Sequence, residues 1–245
     1  MYDQILVPSE TADTGFVCGT TTDLVSVDTD ESQGDKPNRS TSVDPVVAIA
    51  GIGDDEGRWV ALATKTKLSA DDSDNSFDVF MRDRDTDGDG MYDEPESAST
   101  TLVSVGSFGD ARAPSLSADG SIIAFEAKTG NTWNIYWRDL AAGTSATLIG
   151  EGTGASVSGD GSSVAFTRDG EVWRFPPVWS PDSTRLAFGD KKRRLWIVDV
   201  ETGDATLVDT GTQGDLDGYT WSPDSRWLAY HTTHESRLQG IAVYS

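Results

Sequence analysis

Short apolar segments, each preceded by a polar turn, recur five times along the chain. Each contains an alanine between two larger apolar residues, as in Leu186-Ala187-Phe188. Apolar runs of this length between turn residues predict buried β-strands. The shared alanines are separated by 63, 41, 22 and 42 residues and are Ala61, Ala124, Ala165, Ala187 and Ala229. A spacing near 42 residues with four short strands per unit is typical of a β-propeller blade.

The second unit shows the four-strand pattern most clearly. Its predicted strands lie at about residues 113–117, 122–126, 133–138 and 145–149, and residues such as Asp, Gly and Asn form the turns between them. The second strand is apolar on both faces, which is expected when a sheet packs between two neighbouring sheets. Tryptophans such as Trp179 and Trp221 are interpreted as packing between blades.

We therefore predict an all-β fold, a β-propeller of about five blades that forms a single domain over residues 1–245. The predicted parts are an irregular segment 1–19, a closing strand 20–27, and blades at 42–105, 111–149, 154–175, 177–209 and 218–245. The third blade is expected to lack its outer strand, because Glu171–Phe175 runs directly into Pro176 and Pro177. The alternative is a deleted or artificially joined version of a longer parent.

The last blade also lacks an outer strand in sequence, since the chain ends within the third one. The segment Thr21–Val27 closely copies the outer strand Thr100–Val105 of the first blade. We expect this N-terminal segment to complete the last sheet and so to remove an exposed edge.

Residues 85–96 carry a complete calcium-binding pattern. Acidic residues occupy positions 1, 3, 5, 9 and 12 of the segment, and a glycine occupies position 6. Ca²⁺ takes about six to eight oxygen ligands, and alternating acids in a tight loop direct several carboxylates to one centre. The predicted ligands are the side chains of Asp85, Asp87, Asp89, Asp93 (directly or through water) and Glu96, and the main-chain carbonyl of Met91.

Strand-like segments flank this loop in place of the helices of an EF-hand, so we expect a structural ion. The competing interpretation is an acidic surface loop that binds nothing. A second acidic stretch, Asp71–Asn75, could hold a cation at Asp72 and Asp74, but a solvated turn is the favoured interpretation.

The two histidines, His231 and His234, stand beside Glu235 and suggest zinc. Zinc proteases place such histidines on one face of a helix, whereas this segment leaves a strand for a hairpin loop. A Gly-x-Ser-x-Gly motif is absent from the sequence. We therefore predict no catalytic residues, and a zinc-dependent hydrolase remains the third hypothesis.

The charge balance narrows the range of partners. The chain has 19 basic and 41 acidic residues, a net charge of −22, which argues against binding to nucleic acid.

Cys18 is the single cysteine, so no intrachain disulfide can form. No apolar run approaches the ~20 residues that span a bilayer, and no signal peptide is visible. The expectation is a cytoplasmic protein or a mature piece of an exported one.

The turns carry a family resemblance. Trp179–Ser183 and Trp221–Ser225 both read Trp-Ser-Pro-Asp-Ser and precede Leu-Ala-Phe or Leu-Ala-Tyr. This pattern resembles the TolB-type propeller repeat over about residues 42–245, although TolB propellers usually have six blades. Thr220–Tyr244 is also similar to tricorn-type peptidase propellers, and Asp78–Val105 resembles propellers with a calcium loop.

These features favour a non-catalytic, calcium-stabilised propeller that binds a protein or polymer partner on a ring face. We expect a monomer without membrane insertion, located outside the cell or in the envelope, where calcium is abundant. The alternative is an accessory, gating propeller of a multidomain serine peptidase.

Overall fold

The structure, a computed structural model, describes residues 6–8, 20–22, 47–52, 55–168, 177–211, 216–233 and 239–245. Across these ranges it consists of β-strands, turns and connecting segments, without an α-helix. This part of the chain accordingly has no helix of the length and hydrophobicity needed to cross a membrane. The chain divides into two compact units, Met1–Pro114 and Ser115–Ser245.

The first unit begins with a small antiparallel pair. Strand β1 (Leu6–Pro8) pairs with β2 (Thr20–Thr22). The remainder of the predicted closing strand, residues 23–27, lies outside the described residues, so closure of the last blade stays a prediction.

The first large sheet is a four-stranded antiparallel meander in the order in which its strands occur along the chain. Its strands are β3 (Val47–Ala50), β4 (Trp59–Thr64), β5 (Asp78–Asp83) and β6 (Ser99–Leu102). Both faces of β4 are buried, since Val60 is 1% and Ala61 0% exposed. One side of the sheet forms an apolar cluster of Leu62, Leu68, Phe80 and Leu102. The predicted calcium loop connects two strands of this packed sheet, β5 and β6.

The second sheet is also a four-stranded meander, and its first strand spans the boundary between the units. Its strands are β7 (Ala111–Leu116), β8 (Ile122–Thr129), β9 (Thr132–Asp139) and β10 (Thr147–Glu151). The strands lie within a few residues of the predicted positions. They differ mainly at the hairpin of β8 and β9, where the pairing continues to Thr129 and Thr132.

Three further sheets follow within the second unit. Their strands are β11 (Thr153–Val157) with β12 (Val164–Thr167); β13 (Val178–Trp179), β14 (Arg185–Gly189), β15 (Arg194–Asp199) and β16 (Ala205–Thr210); and β17 (Asp217–Trp221), β18 (Leu228–Thr233) and β19 (Gln239–Tyr244). The third strand predicted for the blade of β11 and β12, Glu171–Phe175, falls in residues that the structure does not describe.

Consecutive sheets of the second unit are joined by tryptophan hydrogen bonds. The indole Nε1 of Trp179 donates to the carbonyl of Ser156 at 3.0 Å, and that of Trp221 donates to the carbonyl of Val178 at 3.1 Å. Each bond connects the first strand of one sheet to the first strand of the preceding sheet. The predicted packing of these two tryptophans between blades is confirmed.

Four turns of the second unit share one hydrogen-bond pattern. In each, a serine hydroxyl donates to the aspartate two residues later, as from Ser180 to Asp182 at 2.6 Å. The residue after each aspartate has a positive φ: Gly120 (69°), Gly161 (71°), Ser183 (61°) and Ser225 (60°). This conformation normally favours glycine. The serines have a further function here, because Ser225 Oγ accepts a hydrogen bond from the Asp182 N–H at 3.0 Å.

The fold class predicted from the sequence, an all-β β-propeller, is confirmed. In the described residues, four antiparallel meander sheets of three or four strands follow one another along the chain. Each has the strand order of a propeller blade.

Candidate metal site

The predicted calcium loop connects β5 to β6 at one end of the first large sheet. Two main-chain hydrogen bonds of 2.7 Å close the loop, from Asp93 N–H to the Arg84 carbonyl and from Thr86 N–H to the Ser97 carbonyl. The loop is therefore a compact insertion in the β5–β6 hairpin, and these two paired strands position its ends.

Three of the predicted ligands lie together. Carboxylate oxygens of Asp85, Asp87 and Asp89 are all within 4.8 Å of one another. Asp85 is only 1% exposed, whereas Asp87 and Asp89 are exposed. Three acidic side chains at this separation form a region of strong negative potential, which is the electrostatic requirement for binding a divalent cation.

Asp85 is held by the main chain of its own loop. Its Oδ1 accepts hydrogen bonds from Gly88 N–H (2.7 Å) and Asp89 N–H (3.2 Å), and its Oδ2 accepts one from Gly90 N–H (3.0 Å). Both glycines have positive φ, 74° and 85°. Burial alone would raise the pKa of Asp85, but the N–H donors of Gly90 and Gly88 outweigh it and lower that pKa. The three main-chain donors thus fix the orientation of the Asp85 carboxylate.

The other two aspartates are positioned more loosely. Ser97 Oγ donates to Asp87 Oδ2 at 3.0 Å, and Met91 N–H donates to Asp89 Oδ1 at 2.8 Å. Both aspartates are exposed. Met91, predicted to contribute its main-chain carbonyl, is 52% exposed.

Asp93, the predicted ligand at position 9, is paired with two arginines. Its Oδ1 lies 2.8 Å from Arg82, and its Oδ2 lies 2.6 Å from Arg84. The arginine side chains are 0% and 1% exposed, and that of Asp93 is 10% exposed. Both carboxylate oxygens are therefore engaged within the protein, and Asp93 anchors the loop to β5.

Glu96, the predicted ligand at position 12, does not belong to the converging group. Glu96 is exposed, has a φ of 71° and is not among the three residues whose carboxylates converge. The described residues thus bring three of the six predicted ligands together, Asp85, Asp87 and Asp89, and their binding of an ion stays a prediction. The assignment of Met91, Asp93 and Glu96 stays a prediction.

Sequence reasoning did not identify the arginine pair. Arg82 and Arg84 alternate along β5 and its exit, so they lie on one face of the chain. Arg82 also donates to Thr100 Oγ1 at 3.2 Å, and Arg84 donates to the Gly57 carbonyl at 3.1 Å. The alternation was visible in the sequence, but arginines usually lie at the surface.

The second acidic stretch folds as a turn and has an additional member. Asp74 N–H donates to Asp72 Oδ1 at 3.1 Å, and Ser76 N–H donates to Asp74 Oδ1 at 2.7 Å. Asp78 completes this group, and Ser104 Oγ donates to its Oδ1 at 2.6 Å. Burial raises the pKa of Asp78 to about 6, despite the hydrogen bond from Ser104. Asp72 and Asp78 are 6% and 8% exposed, so two of the three carboxylates are buried, unlike those of the solvated turn that the sequence favoured.

Of the residues in the zinc hypothesis, the structure describes His231. His231 is exposed on strand β18. His234 and Glu235 lie outside the described residues. The strand at His231 agrees with the expectation that this segment is not the helix of a zinc protease.

Comparison with known proteins gives local sequence matches and fold-level matches. No protein-family model matches the chain. A stretch of 51 residues, 21% of this chain and 5% of the relative, is 39% identical to Tricorn protease homolog 1 of Streptomyces coelicolor. The crystal structure of TolB from Acinetobacter baumannii matches with a TM-score of 0.47 and 17% identity over 82% of this chain. The predicted resemblance to TolB-type and tricorn-type propellers is confirmed.

A third match is to the crystal structure of the tricorn protease, with a TM-score of 0.38 and 15% identity over 88% of this chain. The chain spans 52% of the TolB structure and 17% of the tricorn structure. It is therefore much shorter than the proteins that it resembles. A shared fold does not imply a shared function, so the activities of those proteins are not assigned to this chain.

Proposed function

We propose that this protein is a non-catalytic β-propeller scaffold that binds one Ca²⁺ at residues 85–96 and a protein or polymer partner on a face formed by its loops. The observation that supports calcium is the convergence of the carboxylates of Asp85, Asp87 and Asp89 in a hairpin excursion. Carboxylates are hard oxygen ligands of the kind that Ca²⁺ prefers. The Met91 carbonyl and Glu96 would complete the ligand set.

The proposed role of the ion is structural. Without a cation the three carboxylates repel one another, and Asp85 is constrained by three main-chain donors from turning away. A bound ion offsets this repulsion and stabilises the folded loop by RT ln(1 + [Ca²⁺]/Kd). Because strands flank the loop on both sides, binding has no pair of helices to open. An exposed site of this kind suits the millimolar calcium found outside cells, in agreement with an extracellular or envelope location.

Calorimetric titration of the chelator-treated protein with Ca²⁺, and with Mg²⁺ in parallel, tests the proposal. We expect about one Ca²⁺ per chain, selectivity over Mg²⁺, and a melting temperature that rises with calcium concentration. Asp87→Ala combined with Asp89→Ala should abolish that rise. Asp204→Ala, which removes an exposed carboxylate from the second unit, is the matched control and should keep it. A double variant that responds to calcium like the wild type would contradict the assignment.

A second candidate function is an accessory propeller that gates or docks substrates for a peptidase domain. The observation that favours it is the 39% identity to a tricorn protease homologue over 51 residues. The gene's reading frame distinguishes the two proposals. Continuation beyond Ser245 into a serine-hydrolase domain would support the accessory function. A stop at that point, together with partner binding by the purified chain, would support the independent scaffold.

A further inference from the structure

Two aspartates of the candidate metal loop are each followed by glycine, at Asp87-Gly88 and Asp89-Gly90. An Asp-Gly pair is prone to rearrangement of the main chain, because glycine has no side chain to shield its nitrogen from the preceding carboxyl group. Around both glycines, no atom of the described chain other than those of the adjoining residues lies within 4 Å of the place that a Cβ would occupy. Packing therefore gives the glycines no steric shield on that side.

The rearrangement converts aspartate to isoaspartate in two steps. In the first, the main-chain nitrogen of glycine attacks Cγ of the preceding aspartate; the N–Cγ bond forms, the nitrogen loses its proton, and one carboxyl oxygen leaves as water. The product is a succinimide ring. In the second, water adds to the main-chain carbonyl of that ring and breaks its bond to nitrogen. The chain then continues through Cγ, and the former main-chain carbonyl becomes the free carboxylate.

Both glycine nitrogens are engaged by one carboxylate. Asp85 Oδ1 accepts a hydrogen bond from Gly88 N–H at 2.7 Å, and Asp85 Oδ2 accepts one from Gly90 N–H at 3.0 Å. Asp85 is 1% exposed. An N–H group beside a negative charge loses its proton less readily, and the hydrogen bond must break before the nitrogen can attack its own aspartate. Each bond therefore opposes the first step of the rearrangement.

Two Asp-Gly pairs of the second unit are held differently. In the turns at Asp119-Gly120 and Asp160-Gly161, the glycine N–H donates to a main-chain carbonyl, that of Ser117 at 3.0 Å and that of Ser158 at 2.9 Å. These bonds are part of hairpin turns, and their acceptors are not side chains. The two pairs of the metal loop share a single side-chain acceptor, so one substitution removes the hydrogen bonds of both.

We propose that Asp87 and Asp89 are sites of isoaspartate formation and that the Asp85 carboxylate protects them by holding the N–H groups of the two glycines. Isoaspartate inserts a methylene group into the main chain and leaves its carboxylate directly on Cα, so a loop modified in this way does not keep its three carboxylates together. Opening of the loop thus leads to a covalent change that refolding does not reverse. The product is a substrate for enzymes that methylate isoaspartyl carboxylates. The inference concerns the covalent stability of the loop and does not rest on the proposed calcium binding.

Ageing of the full chain in chelator, followed by peptide mapping, tests the proposal. Isoaspartate is measured at each position by enzymatic methylation of the peptides, and the succinimide is detected as a peptide lighter by one water molecule. In the folded wild type, we expect the rates at Asp87 and Asp89 to be roughly 10- to 100-fold below those of the same chain unfolded in urea, the factor that corresponds to a hydrogen bond to a charged group. Asp85→Asn, which keeps the shape but not the charge, and Asp85→Ala should each raise both rates toward the value in urea. The rates at Asp119 and Asp160 should stay unchanged and are the internal controls.

Ser97→Ala is the matched control variant. It removes a hydrogen bond to the Asp87 carboxylate and leaves the bonds of both glycine N–H groups in place. The rate at Asp89 should therefore equal that of the wild type. An increase at Asp89 as large as that in Asp85→Ala would show that any loosening of the loop is sufficient, and would overturn the specific role of Asp85.

Hydrogen exchange of the folded wild type gives a second test that needs no variant. The amides of Gly88 and Gly90 should exchange at least about 10-fold more slowly than in the urea-unfolded chain. If Asp85→Ala also raises the rates at the two internal control positions, that variant has unfolded, and the exchange measurement decides. Unprotected glycine amides overturn the proposal, as do rates at Asp87 and Asp89 that are equal in the folded wild type and in urea.

Discussion

Replacing Asp93 by Asn tests how the loop is held to the first sheet. Asp93 accepts from two guanidinium groups that are 0% and 1% exposed, at 2.8 and 2.6 Å. Asparagine has nearly the same shape but no charge, so Arg82 and Arg84 would stay buried without their carboxylate. Removing one partner of a buried ion pair costs about 3–5 kcal/mol, mostly as the penalty of the uncompensated charge. For a chain of this size each kcal/mol corresponds to roughly 2–4 °C, so the melting temperature should fall by about 6–20 °C.

Asp83→Asn is the matched control. Asp83 also accepts two bonds from one arginine, Arg58, at 2.8 and 3.0 Å. These side chains are 26% and 18% exposed, so water can solvate both groups. A partly exposed pair contributes about 0–1 kcal/mol. The chemical change is identical in the two variants, so the difference between them reports the deeper burial of the Asp93 site together with its second arginine.

The assay is thermal unfolding of both variants, followed by circular dichroism in chelator and again in excess calcium. If Asp93 is an anchor, Asp93→Asn is destabilised in chelator and still gains stability from calcium. If Asp93 is mainly a ligand, its stability in chelator stays close to that of the wild type and the calcium response is lost. A loss below about 1 kcal/mol in chelator would refute the argument from buried charge.

Two further predictions concern other parts of the chain. Burial raises the pKa of Asp78 to about 6, so the folded state binds this proton more tightly than the unfolded state does, and the contribution of Asp78 to stability should fall as the pH rises from about 4 to 6. Urea titrations across this range should therefore show that the stability of the wild type relative to Asp78→Asn decreases with pH. A constant difference between the two proteins would contradict the environment assigned to this carboxyl. Trp221→Phe removes the 3.1 Å hydrogen bond to the Val178 carbonyl and should cost about 0.5–1.5 kcal/mol in equilibrium unfolding, and more for the loss of packing. An unchanged midpoint would show that this bond between sheets contributes nothing.

The blades could be predicted because their information is local. A turn with Asp and Gly or Ser, followed by an apolar strand with a central alanine, requires only neighbouring residues to be recognised. The hydrogen bonds within the turn at Ser180 and Asp182 are made between residues two to five positions apart. The local sequence pattern did not predict the hydrogen bonds between one turn and the next. In these bonds the hydroxyls of Ser183 and Ser225 accept from the N–H groups of Asp160 and Asp182.

The sequence predicted which positions of the calcium loop are acidic, but it did not predict the contacts of each acidic side chain. Alternating acids in residues 85–96 predicted a group of carboxylates, and Asp85, Asp87 and Asp89 do converge. The pattern treats position 9 as one more oxygen ligand. Whether Asp93 faces the loop centre or the sheet depends on Arg82 and Arg84, whose burial follows from how the hairpin packs.

The sequence by itself determined the architecture, because hydrophobic periodicity and turn residues specify strands and the order in which they pair. It also specified which residues could act as calcium ligands. The tertiary structure alone decided which of these carboxylates meet one another and which one meets arginine. It likewise decided that Leu195 is buried and Ile241 is exposed, although each lies opposite the residue two positions after the shared alanine of its sheet. The physical reason is that burial is a property of the neighbouring surface, and the strand that carries the residue contains no information about that neighbour.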